Sequence, residues 1–231
     1  MTSLAWGHGP HIRIRQAVSE DLPIVRELAP LAGDGVELEK PLADAVTEGY
    51  AAAGLLIGVH ESVSAFHDLI LSLLEKSPSP VLAYMHSALV LVAEHDREGV
   101  VGTLLAYPPL RFVEQFREVA VIHGASPSAG IVDLVKVKAV VVAEPTRGGR
   151  IGSELLRRCR QVFFGCGYRL MYGQIEPTQP HLVKFYRKRG FTVLGADESI
   201  PLWPVFGINV HMRAEQGQRL FMRERVVLAR G

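Results

Sequence analysis

The chain has 231 residues, of which 48% are hydrophobic and 21% charged, and its formal net charge is +1. This length can bury a sizeable core, and we expect one domain over residues 1–231, with a core at about 11–213 and a C-terminal extension at 214–231. The sequence lacks an uncharged apolar run of about 18 residues and a secretory signal, so we expect a soluble cytoplasmic protein without a membrane partner. Its two cysteines are too few for a cysteine-based zinc site, and we expect no metal.

Charge is divided unevenly along the chain. Residues 147–231 contain 15 Arg and Lys against 6 Asp and Glu, a net charge of +9, whereas residues 1–146 contain 10 against 18, a net charge of −8. The basic part suits a polyanionic partner such as a nucleotide-containing cofactor or a nucleic acid. A solvated surface whose charges pair within the molecule is an equally open interpretation.

The first half of the chain shows helical patterns followed by strand patterns. Residues 11–15 alternate as in an edge strand, and Ser19 is placed to cap the helix that follows. The helical patterns of this half cover residues 19–29, 38–53 and 60–76. Two apolar runs, at 88–93 and 100–106, are joined by a polar connection and predict a hairpin.

The second half alternates strands with helices. The predicted strands are residues 132–143, 170–175, a strand after Gly190 and a final strand at 207–212. The predicted helices are a short one at 112–119, one from the turn at 147–152 to about residue 165, and one at 180–189. The nearly unbroken apolar residues 139–143 predict a central, buried strand, whereas the last 16 or so residues receive no assignment.

A glycine- and arginine-rich turn separates the central strand from the next helix. The residues Arg147 to Ser153 directly follow three valines and open that helix. The first helical N–H groups have no intrahelical partner and the helix dipole favours negative charge, so a phosphate can bind there. The glycines permit close backbone approach, and Arg147 and Arg150 add positive charge. We therefore expect a phosphorylated carrier at this turn.

The element order, this turn and the segment from Lys184 to Phe191 resemble the GNAT superfamily of N-acyltransferases, most specifically over about residues 139–195. The resemblance implies an α/β (α+β) fold with a mixed, mostly antiparallel sheet flanked by helices, here with an enlarged N-terminal helical segment. It also implies acetyl-CoA, or another acyl-CoA, as co-substrate, bound by a strand that separates from its neighbour and by the turn. The implied cofactor-binding residues are Val140, Val141, Val142, Arg147, Gly148, Gly149, Arg150, Ile151, Gly152 and Ser153.

One residue of the turn departs from the family's usual pattern of Arg or Gln, two residues, Gly, one residue, then Gly or Ala. Arg150 occupies the first of these glycine positions. Its side chain either pairs with a phosphate or crowds the pyrophosphate and favours another acyl carrier, and both alternatives stay open.

The resemblance also suggests catalytic residues. Tyr186 falls where the family often has a tyrosine that protonates the leaving thiolate, although a core aromatic is the alternative. Asp133 and Glu176 are candidate bases, each with a polar surface or capping role as alternative. Lys136 occupies the strand position where the family often has a carboxylate.

These observations predict an N-acyltransferase of the EC 2.3.1 class that acts in specialised metabolism. It transfers an acyl group, acetyl in the first instance, from acyl-CoA to a small-molecule amine by direct attack. The helical segment at 37–77 favours an enclosed acceptor site. The alternatives are a donor of acyl- or aminoacyl-tRNA, with tRNA as partner, and a non-catalytic acyl-CoA sensor; a homodimer is compatible with either.

Overall fold

Apolar and alternating segments form a central sheet, which helices cover. The computed structural model describes residues 4–8, 11–77, 79–124, 126, 128–215 and 217–226. The strands are β1 Ala5–His8, β2 Ile12–Gln16, β3 Leu89–His95, β4 Gly99–Tyr107, β5 Leu134–Val142, β6 Leu170–Ile175, β7 Thr192–Val193, β8 Ser199–Pro201, β9 His211–Arg213 and β10 Arg219–Glu224. The helices are α1 Leu22–Leu28, α2 Lys40–Thr47, α3 Ala53–His60, α4 Val63–Lys76, α5 Val81–His86, α6 Leu110–Ile122, α7 Ile151–Gly165, α8 His181–Arg187 and α9 Trp203–Phe206.

Eight strands form one sheet in the order β1-β2-β3-β4-β5-β6-β10-β7. Every neighbouring pair is antiparallel except β5 and β6, which are parallel because α7 connects them as a crossover. Strands β8 and β9 pair separately as a small second sheet. The predicted fold class, a mixed and mostly antiparallel sheet flanked by helices, is confirmed.

The strand predictions fail at both ends of the chain. Residues 11–15 are not an edge strand, since β2 lies between β1 and β3. The predicted final strand at 207–212 is also wrong: β9 belongs to the small sheet, and β10 is the strand that joins the main sheet. β10 lies in the segment that received no assignment, because its mixed polarity conceals a buried pair, Leu220 and Phe221.

The helix predictions fail mainly at boundaries. The helix predicted at 38–53 ends at Thr47, because the chain turns at Gly49 and at Ala52, both of which have positive φ, and α3 follows as an element that the pattern did not predict. Helix α5 follows a proline-rich break and was not predicted. Ser19 does not cap α1; its hydroxyl contacts Glu20, and the carboxylate of Asp21 accepts the N–H of Val18 instead.

A charged cluster connects strand β2 to the turn before α1 and to β3. The Arg15 guanidinium donates to Asp21 at 2.6 and 3.0 Å and to Glu94 at 3.0 and 3.1 Å. Burial raises the pKa of Asp21, but the hydrogen bonds from Arg15 and Val18 outweigh it and hold the pKa below its ordinary value.

Among the described residues, no helix has the length and apolarity needed to cross a membrane.

We expect Asp21→Asn to lower the free energy of unfolding at pH 7 by about 1–3 kcal/mol, because Arg15 loses a charge-assisted partner. A carboxylate with a depressed folded-state pKa stabilises the protein fully above its unfolded-state pKa, about 3.9, and the contribution disappears as pH falls through the folded-state pKa. The difference between parent and variant should therefore shrink in acid, as urea unfolding at several pH values can measure. Asp44→Asn, at an exposed pair with Lys40, is the control and should change little.

Candidate active site

A gap opens between β5 and β6. The two strands pair only at Leu134–Leu170, Val135–Met171 and Lys136–Tyr172. Beyond these pairs β5 continues beside β4, and a bulge places Lys138 outside the regular β4–β5 register. β6 pairs with β10 along its other edge, so it stays in the sheet where β5 leaves it. The second half of β5 is thus left with unpaired main-chain groups on the gap side.

Strand alternation shows which of these groups face the gap. The N–H of Ala143 donates to the carbonyl of Val101 on β4 at 2.8 Å. Because successive residues of a strand direct their main-chain groups to opposite sides, those of Val141 face β4 and those of Val140 and Val142 face the gap. Arg147 Nε already donates to the Val142 carbonyl at 3.1 Å. Val140 N–H and C=O and Val142 N–H remain for a ligand.

The predicted turn leads directly into α7. Gly148 has a φ of +93°, and a Cβ built there meets nothing within 4 Å, so the turn is open on that side. The first intrahelical hydrogen bond runs from Glu154 N–H to the Arg150 carbonyl at 3.0 Å. The amides of Ile151, Gly152 and Ser153 precede it and have no intrahelical acceptor. This is the geometry of an anion site at the start of a 15-residue helix.

Arg150 has the backbone conformation that the glycine of the usual pattern would adopt. Its φ of 59° and ψ of 10° lie in the left-handed region, where a side chain is unfavourable. The residue is exposed. A pyrophosphate bound at this turn would lie at the same exposed edge, so both alternatives for the Arg150 side chain stay open.

Helix α8 borders the gap with aromatic rings. Tyr186 is 6% exposed and stacks on Phe221 of β10 at 3.6 Å between ring centroids. A Cβ built at Gly173 of β6 would contact Phe221 and lie 2.8 Å from the Val137 carbonyl of β5, so this stack lies where the gap begins. Burial raises the pKa of Tyr186 well above its ordinary value. A tyrosine with such a pKa keeps its proton at neutral pH.

Arg189 connects α8 to the start of α7. Its Nε donates to Ser153 Oγ at 2.9 Å, and one of its amino groups donates to the Phe185 carbonyl at 2.6 Å. The guanidinium also lies over the Phe185 ring at 3.6 Å. The other amino group of Arg189 also donates to Ser153 Oγ. Because the Ser153 oxygen accepts both bonds, its own hydrogen is free to donate to a ligand.

A cleft of about 720 Å³ lies where β5 and β6 are still paired. Its walls come from the segment before α2, the start of α6 and the segment after β9. The polar side chains along it include Glu37, Glu39, Tyr107, Arg111, Lys136, Lys138, Tyr172, Gln174, Arg213 and Glu215. Of the helical segment expected to enclose the acceptor site, only residues up to Pro41 line this cleft.

Three side chains form a row across the cleft. Register places Tyr107 of β4 and Tyr172 of β6 on either side of Lys136. Lys136 Nζ donates to Gln174 Oε1 at 3.0 Å, and the Tyr107 hydroxyl donates to Glu39 Oε1 at 3.1 Å. Burial, and secondarily Lys138, lowers the pKa of Lys136, whereas Glu215 and Glu39 oppose this shift.

The two predicted bases lie apart from the residues that line this cleft. Asp133 precedes β5 and pairs with Arg169 at 3.0 Å, and burial raises its pKa. Glu176 follows β6, where its carboxylate accepts a hydrogen bond from Gln218 Nε2 at 2.5 Å. Glu176 is nearer to the open end of the gap, whereas the contacts of Asp133 give no support for catalysis. Both roles stay predictions.

Sequence reasoning missed most of the cleft. Lys136 and Lys138 carried a signal, since two lysines at alternate positions interrupt an otherwise apolar strand. Glu39, Tyr107 and Glu215 carried none, because they are far apart in the chain and only the fold brings them together.

No cluster of three or more His, Cys, Asp or Glu side chains suited to a metal occurs within the described parts of the chain.

A parallel strand pair that separates beside a glycine turn, with a cleft next to the gap, is the arrangement that the resemblance implies for an acyl-CoA site. A family model described as the acetyltransferase (GNAT) family matches residues 62–191. This is more than half of the chain, and the protein therefore belongs to the GNAT acetyltransferase family.

Two solved structures with a similar fold extend this comparison. YncA of Salmonella typhimurium, assigned as an acetyltransferase and solved with its cofactor acetyl-CoA, is 17% identical, with 95% of this chain and 97% of that chain covered and a TM-score of 0.53. An acetyltransferase of the GNAT family from Staphylococcus aureus Mu50 is 12% identical, with coverages of 93% and 99% and a TM-score of 0.52. At these identities the likeness shows the fold alone. No curated protein matches the sequence.

We expect Arg150→Gly to be more stable than Arg150→Ala by about 1 kcal/mol, because both remove the guanidinium but only glycine removes the left-handed strain. Urea unfolding of the two variants measures this difference. Equal stabilities would mean that position 150 does not adopt the left-handed conformation in solution.

Proposed function

We propose that the protein is an N-acetyltransferase that uses acetyl-CoA and acts on an amine of a small molecule. The observation that carries this proposal is the gap between β5 and β6, whose free main-chain groups lead from the cleft to the anion site at α7. The family membership and the acetyl-CoA in the YncA structure support the same donor.

The donor fits along the gap in one direction. The amides of Ile151, Gly152 and Ser153 bind the pyrophosphate, with Arg147 and Arg150 adding charge at the exposed edge. The pantetheine arm takes the place of a missing neighbouring strand and hydrogen-bonds to Val140 and Val142. Val141 contributes packing rather than main-chain contacts, since its polar groups bind β4. This arrangement directs the thioester toward the cleft.

Acetyl transfer then proceeds by direct attack. The neutral amine nitrogen forms a bond to the thioester carbon, and the developing oxyanion accepts a hydrogen bond from a free main-chain N–H of β5. The carbon–sulfur bond breaks, and the proton of Tyr186 moves to the leaving thiolate to give CoA. The amine loses its proton to a carboxylate or to water, for which Glu176 is the predicted candidate and the cleft glutamates are others. No acyl-enzyme is required.

The size of the cleft favours a small acceptor. A volume of about 720 Å³ lies within the roughly 300–1,000 Å³ that small-molecule sites occupy. The small β8–β9 sheet and α6 wall the cleft, and the rings of Phe206 and Phe112 pack together behind it at 6.2 Å between centroids. A cleft of this size with such walls suits a metabolite better than a protein tail.

We expect acetyl-CoA at about 100 times its Kd to raise the melting temperature by roughly 5–10 °C, since a ligand selective for the folded state stabilises it by about 2.7 kcal/mol. Gly149→Glu should abolish this shift by placing a negative charge at the pyrophosphate site. Gly165→Glu, at an open position at the other end of α7, should retain it. Thermal-shift assays measure all three proteins.

The same assay discriminates between the alternatives. If tRNA raises the melting temperature, if this effect falls steeply with salt and if acetyl-CoA has none, the donor is an acyl- or aminoacyl-tRNA and not acetyl-CoA. Acetyl-CoA binding without thiol release across a panel of amines would leave a sensor rather than an enzyme. Thiol release that depends on both acetyl-CoA and an amine supports the proposal.

We expect Tyr186→Phe to lower kcat roughly 100-fold, because the variant keeps the stacked ring but loses the proton donor. Its acetyl-CoA-induced thermal shift and melting temperature should stay near those of the parent. Tyr168→Phe, at a fully buried tyrosine that packs on Phe163, is the matched control and should keep kcat. An unchanged kcat in Tyr186→Phe would assign the residue to packing alone.

A further inference from the structure

The cleft contains two half-buried lysines without a matching ion pair. Lys136 Nζ has the neutral amide oxygen of Gln174 as its hydrogen-bond partner. Within the described residues, neither Lys136 nor Lys138 forms an ion pair, although both line the cleft. An ammonium group that is largely removed from water and has no counterion is costly, so an anion that enters the cleft gains a strong partner.

Negative charge is present in the same cleft, close to these lysines. Glu39 and Glu215 line the same cleft as Lys136 and Lys138, and their charges oppose the lowering of the pKa of Lys136. The Tyr107 hydroxyl fixes the Glu39 carboxylate. The cleft therefore offers cations and anions side by side, a pattern that complements a molecule carrying both charges.

The residues that line the cleft limit the classes of acceptor that it can bind. Five lysines and arginines line the cleft against three glutamates, so a polyamine would meet net repulsion. The apolar side chains of Leu110, Phe112 and Met212 also line it, so part of the acceptor is expected to be apolar.

Resting on the proposed function, we propose that the acceptor is a small amine that also carries an oxyanion, in the manner of an amino acid. Its anionic group binds Lys136 and Lys138, its amino group lies toward Glu39 and Glu215, and its side chain contacts the apolar wall. Lys136 is thus a specificity residue at the strand position where the family often has a carboxylate.

The test compares acceptors that differ only in the anion. Leucine, methionine, phenylalanine and histidine are each assayed beside their amides and decarboxylated amines, with acetyl-CoA and thiol detection. One phosphonate analogue, 1-amino-2-phenylethylphosphonate, separates carboxylate from phosphonate recognition. We expect kcat/KM for at least one amino acid or the phosphonate to exceed that of its uncharged counterpart roughly 10–100-fold. Equal rates, or no acetylation by a protein that binds acetyl-CoA, would overturn the inference.

Variants identify the residues responsible. Lys136→Met and Lys138→Met should remove the preference for the anion by lowering kcat/KM of the charged acceptor only. Lys76→Met, at the exposed end of α4, should leave it unchanged. Removal of a buried charge should keep the melting temperature of Lys136→Met at or above that of the parent. A lower melting temperature with equal losses for all acceptors would instead show a structural lysine and contradict the inference.

Two readouts separate this inference from the proposed function. The acetyl-CoA thermal shift tests the donor, and it should be intact in both lysine variants. Isothermal titration of the favoured acceptor, or of 3-phenylpropanoate, into the protein without acetyl-CoA tests the anion site alone. If the protein binds acetyl-CoA but not the anion, only the inference is contradicted. If it binds the anion but not acetyl-CoA, only the proposed function is contradicted.

Discussion

The site depends on the early end of pairing between β5 and β6. A fully paired parallel sheet would satisfy the main-chain groups of Val140 and Val142 and would leave no room for a ligand. The bulge at Lys138 keeps β5 with β4, and the side chains of Val140, Val142 and Phe185 converge on Gly152, where a Cβ would lie 3.5–3.7 Å from each. The gap is therefore held open from both sides, by the curvature of β5 and by α8 packing over the start of α7.

Strand β10 keeps the sheet continuous although β5 and β6 separate. β6 pairs with β10 at six positions, so it stays a central strand even where β5 has left it. The absence of a side chain at Gly173 allows Phe221 to cross β6, and Tyr186 stacks on that ring. Strand β10 thus positions Tyr186, the residue that we propose as the acid, although β10 lies far from the glycine turn in sequence.

The cleft illustrates how a binding site can conflict with stability. Lys136 would be replaced by an apolar residue if only the sheet mattered, since its neighbours along β5 are buried and apolar. Its depressed pKa is the measure of that conflict. A cleft that Lys136 shares with Glu39 and Glu215 keeps both charges available to a ligand that carries their complements.

Local sequence determined the strand at 134–142, the turn at 147–153 and the helix that follows, because hydrophobic runs, glycine conformation and helix-end chemistry act over a few residues. It also placed Tyr186 at the family spacing. It did not determine the role of β10, where Leu220 and Phe221 become meaningful only once β6 offers an edge. Nor did it find the cleft, since Glu39, Tyr107, Lys136 and Glu215 meet only through strand order. Only the tertiary structure, through the pairing of strands that are distant in sequence, decides which polar residues share the cleft.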